Sequence, residues 1–476
     1  MISKKDFVKI NDYLWEIPSS FWNEMKVPAR IYAPDKILEA SFEDESIKQL
    51  INTSTLPGVF KFVLAMPDIH EGYGPPIGGI IATKYPEGAI SPGAIGFDQN
   101  CGVRLLLSEY KFQEIKDSLE KLAQEIQNQV PSGLGQGRKQ KTNLEEMEKI
   151  LNFGAKHLVD SGFGQKEDLE NCESFGCLNS ADSREVSFHA KKRGMDQVGT
   201  LGSGNHFLEI QKVEEIFNET IATQFGIFKD QIVIMIHTGS RGLGHQICTD
   251  YLKTMISAIE KYKIKLPDRE LACAPFNSDE GQKFFKAMCC GANFAWANRQ
   301  MISYYVGRAW EKVLGNGERL KLLYDVAHNI AKIEEHFGQK LIVHRKGATR
   351  AFPPNHPELS EKYKITGQPV IIPGSMGTSS YVLAGVESGK DSFFSTNHGA
   401  GRKMSRKSAT RNFSGEKIIK DLSQKGIIVK CRSYGGIAEE APQAYKNIDE
   451  IVGVVHQAGL SQKVARLVPL AVIKGE

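Results

Sequence analysis

The chain has 476 residues, 41% hydrophobic and 24% charged, with a formal net charge of +4 and a pI near 8.4. That length allows two to three domains with a large core, and the composition is that of a soluble globular protein. The charge permits a polyanionic partner without demanding one, and no run approaches the roughly 18 apolar residues of a membrane span.

The opening Met1-Ile2-Ser3-Lys4-Lys5-Asp6 lacks the apolar core of a signal peptide, so a cytosolic protein is expected. The eight cysteines are expected to stay reduced in that compartment. They form no pair of CxxC knuckles, which argues against a zinc ribbon. Residues 1–60 predict short strands and turns with Trp15, Phe21 and Trp22 in the core. Met66 to Gly74 reads as a turn dense in titratable groups, and Ile77 to Thr83 as a strand. Apolar residues at 112, 115, 119, 122 and 126 mark an amphipathic helix.

Residues 131–200 are glycine-rich and then polar, with Lys191-Lys192-Arg193 near their end. They read as a solvated basic face or as a lid or RNA-facing insertion. Strands are predicted at Gln231 to His237, Arg319 to Val326, Lys340 to His344, Ile427 to Lys430 and Leu467 to Ile473. Helices are predicted at Gln246 to Lys263, about 280–314 and near 442–459. This mixed order argues for an α+β, mixed-sheet fold, and the candidate functional residues spread from Asp68 to Lys474. Without a Pro/Ser-rich linker or an internal repeat, residues 1–476 are expected to form one integrated catalytic unit with a deep cleft.

Asp98-Gln99-Asn100-Cys101-Gly102 places an acid and a thiol three residues apart in a turn before an apolar run. A carboxylate and a thiolate offered together commonly hold a divalent transition metal. His206 follows the glycine loop Leu201 to Asn205, His237 ends the run Ile232 to Ile236, and His328 follows Leu322 to Ala327. One histidine alone is ordinary, but three at strand ends beside such a turn are where ligands are presented. By donor type the set suggests zinc or iron, with room for two ions if Cys101 bridges. Two ions would point to phosphoryl transfer.

Four short glycine-bearing, donor-rich loops suggest anion cradles: Thr238 to Gly242, His344 to Arg350, Pro373 to Ser380 and Asn397 to Arg402. Glycine lets backbone N–H groups approach phosphate closely, and Arg and Lys add charge. Arg241, Lys346 and Arg350 stand on two of them, and the resemblance given next makes them candidates for RNA-backbone contact. No Walker A pattern and no GxGxxG occur, so a nucleotide site here is of another type.

Asp98 to Arg104, Gly204 to Glu209, Asp325 to Asn329, Pro373 to Gly377 and His398 to Arg406 resemble the signatures of RtcB-type RNA ligases, and the likeness runs from about Trp15 to the Lys474-Gly475-Glu476 tail. The resemblance implies an enzyme that joins RNA 3′-phosphate or 2′,3′-cyclic phosphate ends to 5′-hydroxyl ends with GTP and manganese, in tRNA splicing and RNA repair. It implies two Mn²⁺ ions bridged by Cys101, one completed by Asp98 and His206 and the other by His237 and His328. His398 would be the nucleophile that takes GMP. Asn205, His206, Phe207, Leu208, Glu209, His328, Asn329, Pro373, Gly374, Ser375, Met376, Ser380, His398, Gly399, Ala400, Gly401, Tyr445 and Lys474 would hold the guanine nucleotide. Cleaved tRNA or damaged RNA would be the partner, with an archease-type activator in addition. Donor softness and the resemblance differ over the metal, which geometry and availability can decide against raw affinity. The alternative reading is a metal-dependent RNA-end phosphoesterase without covalent nucleotide.

Overall fold

The computed structural model describes residues 2–133, 136–139, 141–315, 317–431 and 433–475. Two large sheets carry the architecture. The first has seven strands in the order Val8–Asn11, Leu14–Ile17, Ala29–Tyr32, Val59–His70, Ile77–Lys84, Gln339–Lys346 and Asn329–His336. Its neighbours are antiparallel except where Ala29–Tyr32 meets Val59–His70. The second sheet runs Lys321–Ala327, Gly102–Lys111, Gln231–Thr238, Phe207–Ile216, Ser461–Lys474, Ser380–Gly385 and Pro369–Ile372, all antiparallel. A short strand, Ile428–Lys430, joins Ser461–Lys474 in parallel. The fold is mixed α+β, as the order of sequence elements predicts.

Every residue of Gln231–Thr238 is buried. The apolar run Ile232 to Ile236 does not alternate with polar residues because both faces are covered. Val233 and Met235 pack into one core, while Ile232, Ile234 and Ile236 pack into another formed with the Leu119–Gln129 helix. Each such side chain contributes about 1.5–3 kcal/mol relative to exposure. A third core joins the two sheets: Leu64, Ile80 and Val343 of the first meet Val370, Ile372 and Leu383 of the second.

The helix Asp279–Leu314 backs the second sheet and is roughly 54 Å long at 1.5 Å per residue. Ser278 caps it by accepting from the Gly281 N–H, Asp279 and Glu280 favour its positive end, and Gly315 closes it in the left-handed region. Its middle, from Met288 to Ile302, is continuously buried.

Several elements differ from the sequence expectation. Val59–His70 is one strand of 12 residues, so the expected turn at Met66 to Gly74 begins only after His70. The helix expected from Gln246 starts at Arg241. Asn329–His336 is a strand that polar residues had concealed. Trp15 is buried, whereas Phe21 is exposed at 39%. Within 131–200, Leu144–Asp160 is a helix whose Met147, Ile150, Leu151 and Leu158 pack with Ala287, Phe294 and Ala297 of the long helix. That helix contributes to the core, and among the described residues of the stretch the helix Phe188–Gly194 brings basic residues, Lys192 and Arg193, to the cleft described next.

Candidate active site

Strand register brings five strand termini to one edge of the second sheet. Gly102 pairs with both Thr238 and Ala327, and Phe207 pairs with both His237 and Lys474. Antiparallel pairing therefore sets the starts of two strands beside the ends of three others. His328 is the single residue between Lys321–Ala327 of the second sheet and Asn329–His336 of the first. A cleft of about 1100 Å³ opens over this edge.

Five donors converge at its floor. Cys101 Sγ lies 3.5 Å from His206 Nε2 and 3.4 Å from His237 Nε2. His237 Nε2 is 3.3 Å from His328 Nε2, and Asp98 Oδ2 is 2.8 Å from His206 Nε2. The donors fall into two groups, Asp98–Cys101–His206 and Cys101–His237–His328, each with its ligand atoms within 4.8 Å of one another. Cys101 belongs to both.

The electrostatics of this cluster suit a cation. Burial, reinforced by Asp98, pushes the Cys101 thiol well above its usual range. Burial drives His237 and His328 well below theirs, so both rings are neutral and ligand-competent. Burial opposes ionisation of Asp98, but the His206 ring outweighs it and holds the carboxyl well below the usual range. Among the described residues the Nδ1 atoms of His206, His237 and His328 have no hydrogen-bond partner. A partly buried carboxylate, a thiol and three imidazoles with converging Nε2 atoms fit divalent ions.

Above the metal-ligand cluster stands His398, in the loop after Ser395–Asn397, with its ring centroid 5.2 Å from that of His328. Asp68 Oδ2 accepts from the backbone N–H of His398 at 3.1 Å and of Gly399 at 3.4 Å. The same oxygen lies 2.7 Å from His398 Nδ1, off the line a ring N–H would take. Gly401 permits this approach: its φ is 73°, and a Cβ there would lie 2.1 Å from the Asp68 carbonyl oxygen. The sequence reading did not assign Asp68, although the density of titratable groups at 66–74 was the signal for it. His70, facing His398 at 6.3 Å between ring centroids, is held neutral by burial, which pulls its pKa down to about 4.

All four glycine loops reach this cleft, through Arg241 and Gly242, Lys346 and Gly347, Pro373 to Met376, and His398 to Arg402. Asn205, His206, Phe207, His328, Asn329, Tyr445 and Lys474 also line it. Leu208, Glu209 and Ser380 do not; they lie behind the wall, where Gln211 Nε2 donates to Glu209 Oε2 at 2.6 Å and to Ser380 Oγ at 3.0 Å. Burial pushes the Glu209 carboxyl up to about 8.

Of the three residues expected at RNA, two face the cleft. Arg241 is largely buried and donates to Thr200 Oγ1 at 3.2 Å. Lys346 donates to the carbonyls of Tyr73 and Pro75, and burial draws its pKa down to about 7. Arg350 is a correction. It is 1% exposed, does not line the cleft and donates to Gln368 Oε1 at 3.0 Å and Glu358 Oε2 at 2.8 Å, a position that counts against the expected phosphate contact.

The sequence model of the family described as tRNA-splicing ligase RtcB matches residues 49–475. This chain belongs to the RtcB family. It is 52% identical to tRNA-splicing ligase RtcB of Nanoarchaeum equitans, over 98% of this chain and 99% of that one. It is 49% identical to its namesake from Thermococcus kodakarensis, over 98% of each. Against RNA-splicing ligase RtcB of Mycobacterium tuberculosis the identity is 48%, over 90% of this chain and all of the other. The family is one of RNA ligases, and the Asp/Cys/His cluster accords with a metal-dependent member of it. Among the described residues no RtcB helix of this chain is long and apolar enough to cross a membrane.

Proposed function

We propose that the chain, acting as one catalytic unit over residues 1–476, is a GTP- and Mn²⁺-dependent RNA ligase. It would join 3′-phosphate or 2′,3′-cyclic phosphate ends to 5′-hydroxyl ends of cleaved tRNA or damaged RNA in the cytoplasm. The observation that carries this reading is the single thiol shared by two donor groups directly beneath an imidazole, His398, that belongs to neither. Asp98, Cys101 and His206 would hold one ion, and Cys101, His237 and His328 the other. Bound there, the ions would polarise phosphoryl oxygens and neutralise their developing charge.

The protein's own groups then divide the work. The Asp68 carboxylate, 2.7 Å from His398 Nδ1, would favour a proton there through its charge rather than through an aligned hydrogen bond, leaving the Nε2 lone pair for attack. Nε2 bonds to the α-phosphorus of GTP as the bond to the β-phosphate oxygen breaks, and pyrophosphate leaves with the electron pair. An oxygen of the RNA 3′-phosphate next attacks the same phosphorus, and the imidazole leaves with its lone pair restored. The 5′-hydroxyl finally attacks the activated 3′-phosphate, loses its proton and expels GMP. A cyclic phosphate must first be opened by water to enter this sequence. Backbone N–H groups of the glycine loops, with Arg402 and Lys474, are placed along the same cleft to receive phosphate oxygens.

The test is incubation with α-labelled GTP and Mn²⁺. Label is expected on the protein, then on RNA bearing a 3′-phosphate, and the protein adduct is expected to be lost in acid and kept in base. RNA-end cleavage without protein label would favour the phosphoesterase reading.

A further inference from the structure

The residue that most directly ties the Cys101–His237–His328 group together touches none of the three side chains. Arg299, in the middle of the Asp279–Leu314 helix, is fully buried. Its Nη1 donates to the carbonyl oxygens of Asn100 and Thr238, both at 2.8 Å. Its Nη2 donates to Asn100 Oδ1 at 2.9 Å and Asp325 Oδ1 at 2.8 Å, and its Nε to both Asp325 oxygens at 3.0 and 2.9 Å. Asn100 precedes Cys101, Thr238 follows His237, and Asp325 lies on the strand that delivers His328. One planar fork thus fixes three segments, each presenting one of those ligands.

Two further features show that these segments need holding. Asn100 has a φ of 50°, a left-handed conformation that costs energy in a residue other than glycine. The turn is tied to the His328 segment by two backbone bonds, Asn100 N to the Asn329 carbonyl at 2.7 Å and His328 N to the Cys101 carbonyl at 3.0 Å, and by Asn329 Nδ2 donating to the Asp98 carbonyl at 3.1 Å, none of which reaches the His237 strand. Asp98, by contrast, has its own support, accepting from Ser240 N at 2.8 Å and Ser240 Oγ at 3.0 Å. Asp325 is also gripped from the other side by Arg104, whose Nε is 2.7 Å away, but Arg104 reaches neither Asn100 nor Thr238.

We propose that Arg299 is the positioning residue of the Cys101–His237–His328 ion site, setting the spacing of its three ligands through backbone carbonyls, and that the Asp98–Cys101–His206 site depends on it far less. This rests on the metal reading given above. A group that orients ligands from outside typically changes metal affinity by about 10–100-fold. Arg299→Lys keeps the positive charge against Asp325 but cannot span all three segments.

The experiment titrates metal-free, full-length protein with Mn²⁺ alone, following free Mn²⁺ by its electron paramagnetic resonance signal, with thermal unfolding of each metal-free variant alongside. The parent is expected to take two equivalents. Arg299→Lys is expected to keep one near parental affinity and to bind the other about 10–100-fold more weakly. Arg104→Lys, which breaks the opposite arm of the same buried carboxylate, is expected to cost comparable thermal stability while keeping both ions. Asn100→Gly, which keeps the Arg299 side chain but removes its Asn100 Oδ1 acceptor and the Asn100 Nδ2 bond to the Ala292 carbonyl while relieving the left-handed backbone, is expected to weaken the same ion severalfold, so the idea can be judged even if Arg299→Lys does not fold. Parental affinities in Arg299→Lys or Asn100→Gly, or an equal effect from Arg104→Lys, would overturn the proposal. A parent that does not bind two ions overturns the metal reading instead.

Discussion

The two walls of the cleft are held by different kinds of bond. On the metal-ligand side, strand pairing sets the spacing: Cys101, His237 and His328 are 1–4% exposed and each sits within one residue of a sheet position. On the opposite side, short helices and loops are joined by a β-bridge, Arg402 with Tyr445, and otherwise depend heavily on side chains. Arg402 is kept by Glu440 at 3.2 Å and Tyr445 Oη at 3.1 Å, and Arg406 by Glu439 at 3.1 Å. A ladder of backbone bonds cannot be traded for a ligand. A guanidinium paired with a carboxylate can exchange it for a phosphate of similar geometry. The donor side is thus pre-set by backbone, and the wall facing it includes guanidinium–carboxylate pairs for which a phosphate-bearing ligand would compete.

Breaking one wall should leave the other standing. The largest effect is expected from Cys101→Ala, which should abolish ligation and reduce bound Mn²⁺ at both donor groups, read by metal analysis. Two retained equivalents would refute the shared thiolate. His398→Ala should do the converse, keeping both ions yet taking no label from α-labelled GTP. Restored joining when RNA already capped with GMP is supplied would sharpen the contrast, since only the first step is missing.

Asp68→Asn should keep both ions and the fold but slow adduct formation on the order of 10²-fold or more, because the neutral amide no longer favours Nε2 as the free nitrogen. An unchanged single-turnover rate would reduce Asp68 to a backbone anchor. Behind the wall, Glu209 is pushed from 4.5 up to about 8 by burial. Its folded pKa lies above the unfolded one, so the folded state holds the extra proton and nucleotide-free stability should fall as pH rises from about 4.5 to about 8. Glu209→Gln should flatten that fall in urea unfolding at a series of pH values; an unaltered slope would place the titration elsewhere.

The smallest effect concerns Gln99, fully buried with neither amide atom partnered among the described residues, its Oε1 close to where a Cβ on Gly291 would sit. Gln99→Leu should gain about 1 kcal/mol by removing an unsatisfied amide. A loss of stability would point to polar contacts that water supplies.

The five metal-ligand candidates stood out in sequence because each flanks an apolar run, Asp98, Cys101 and His206 just before one and His237 and His328 at the close of one, where a strand starts or stops and presents something. Asp68 was among the candidate functional residues, but its role was not legible, since Pro67, Asp68 and His70 make the end of a 12-residue strand look like a polar turn. The strand Asn329–His336 was hidden for a related reason. Its charges point inward to partners, Lys332 to Glu173 at 159 residues' separation and Glu334 to Arg345 on the next strand. Arg350 misled in the opposite sense: a basic residue after a glycine suggested phosphate, but Glu173 and Glu358, which neutralise it, cannot be paired with it by spacing alone. The packing of the Leu144–Asp160 helix was obscured by the charges interleaved with its apolar face.

His328, standing where the chain passes from one sheet into the other, has a consequence for how the protein comes apart. With Cys101 and His237 anchored in the second sheet, a cation bound to all three would act as a rivet across the junction of the two sheets. Separating them would then require breaking a ligand bond as well as the shared core. Metal occupancy should accordingly be felt most in the rate of unfolding: the ion-loaded enzyme should have a long kinetic lifetime, and a chelator should shorten it by raising the population of chains that open at that junction.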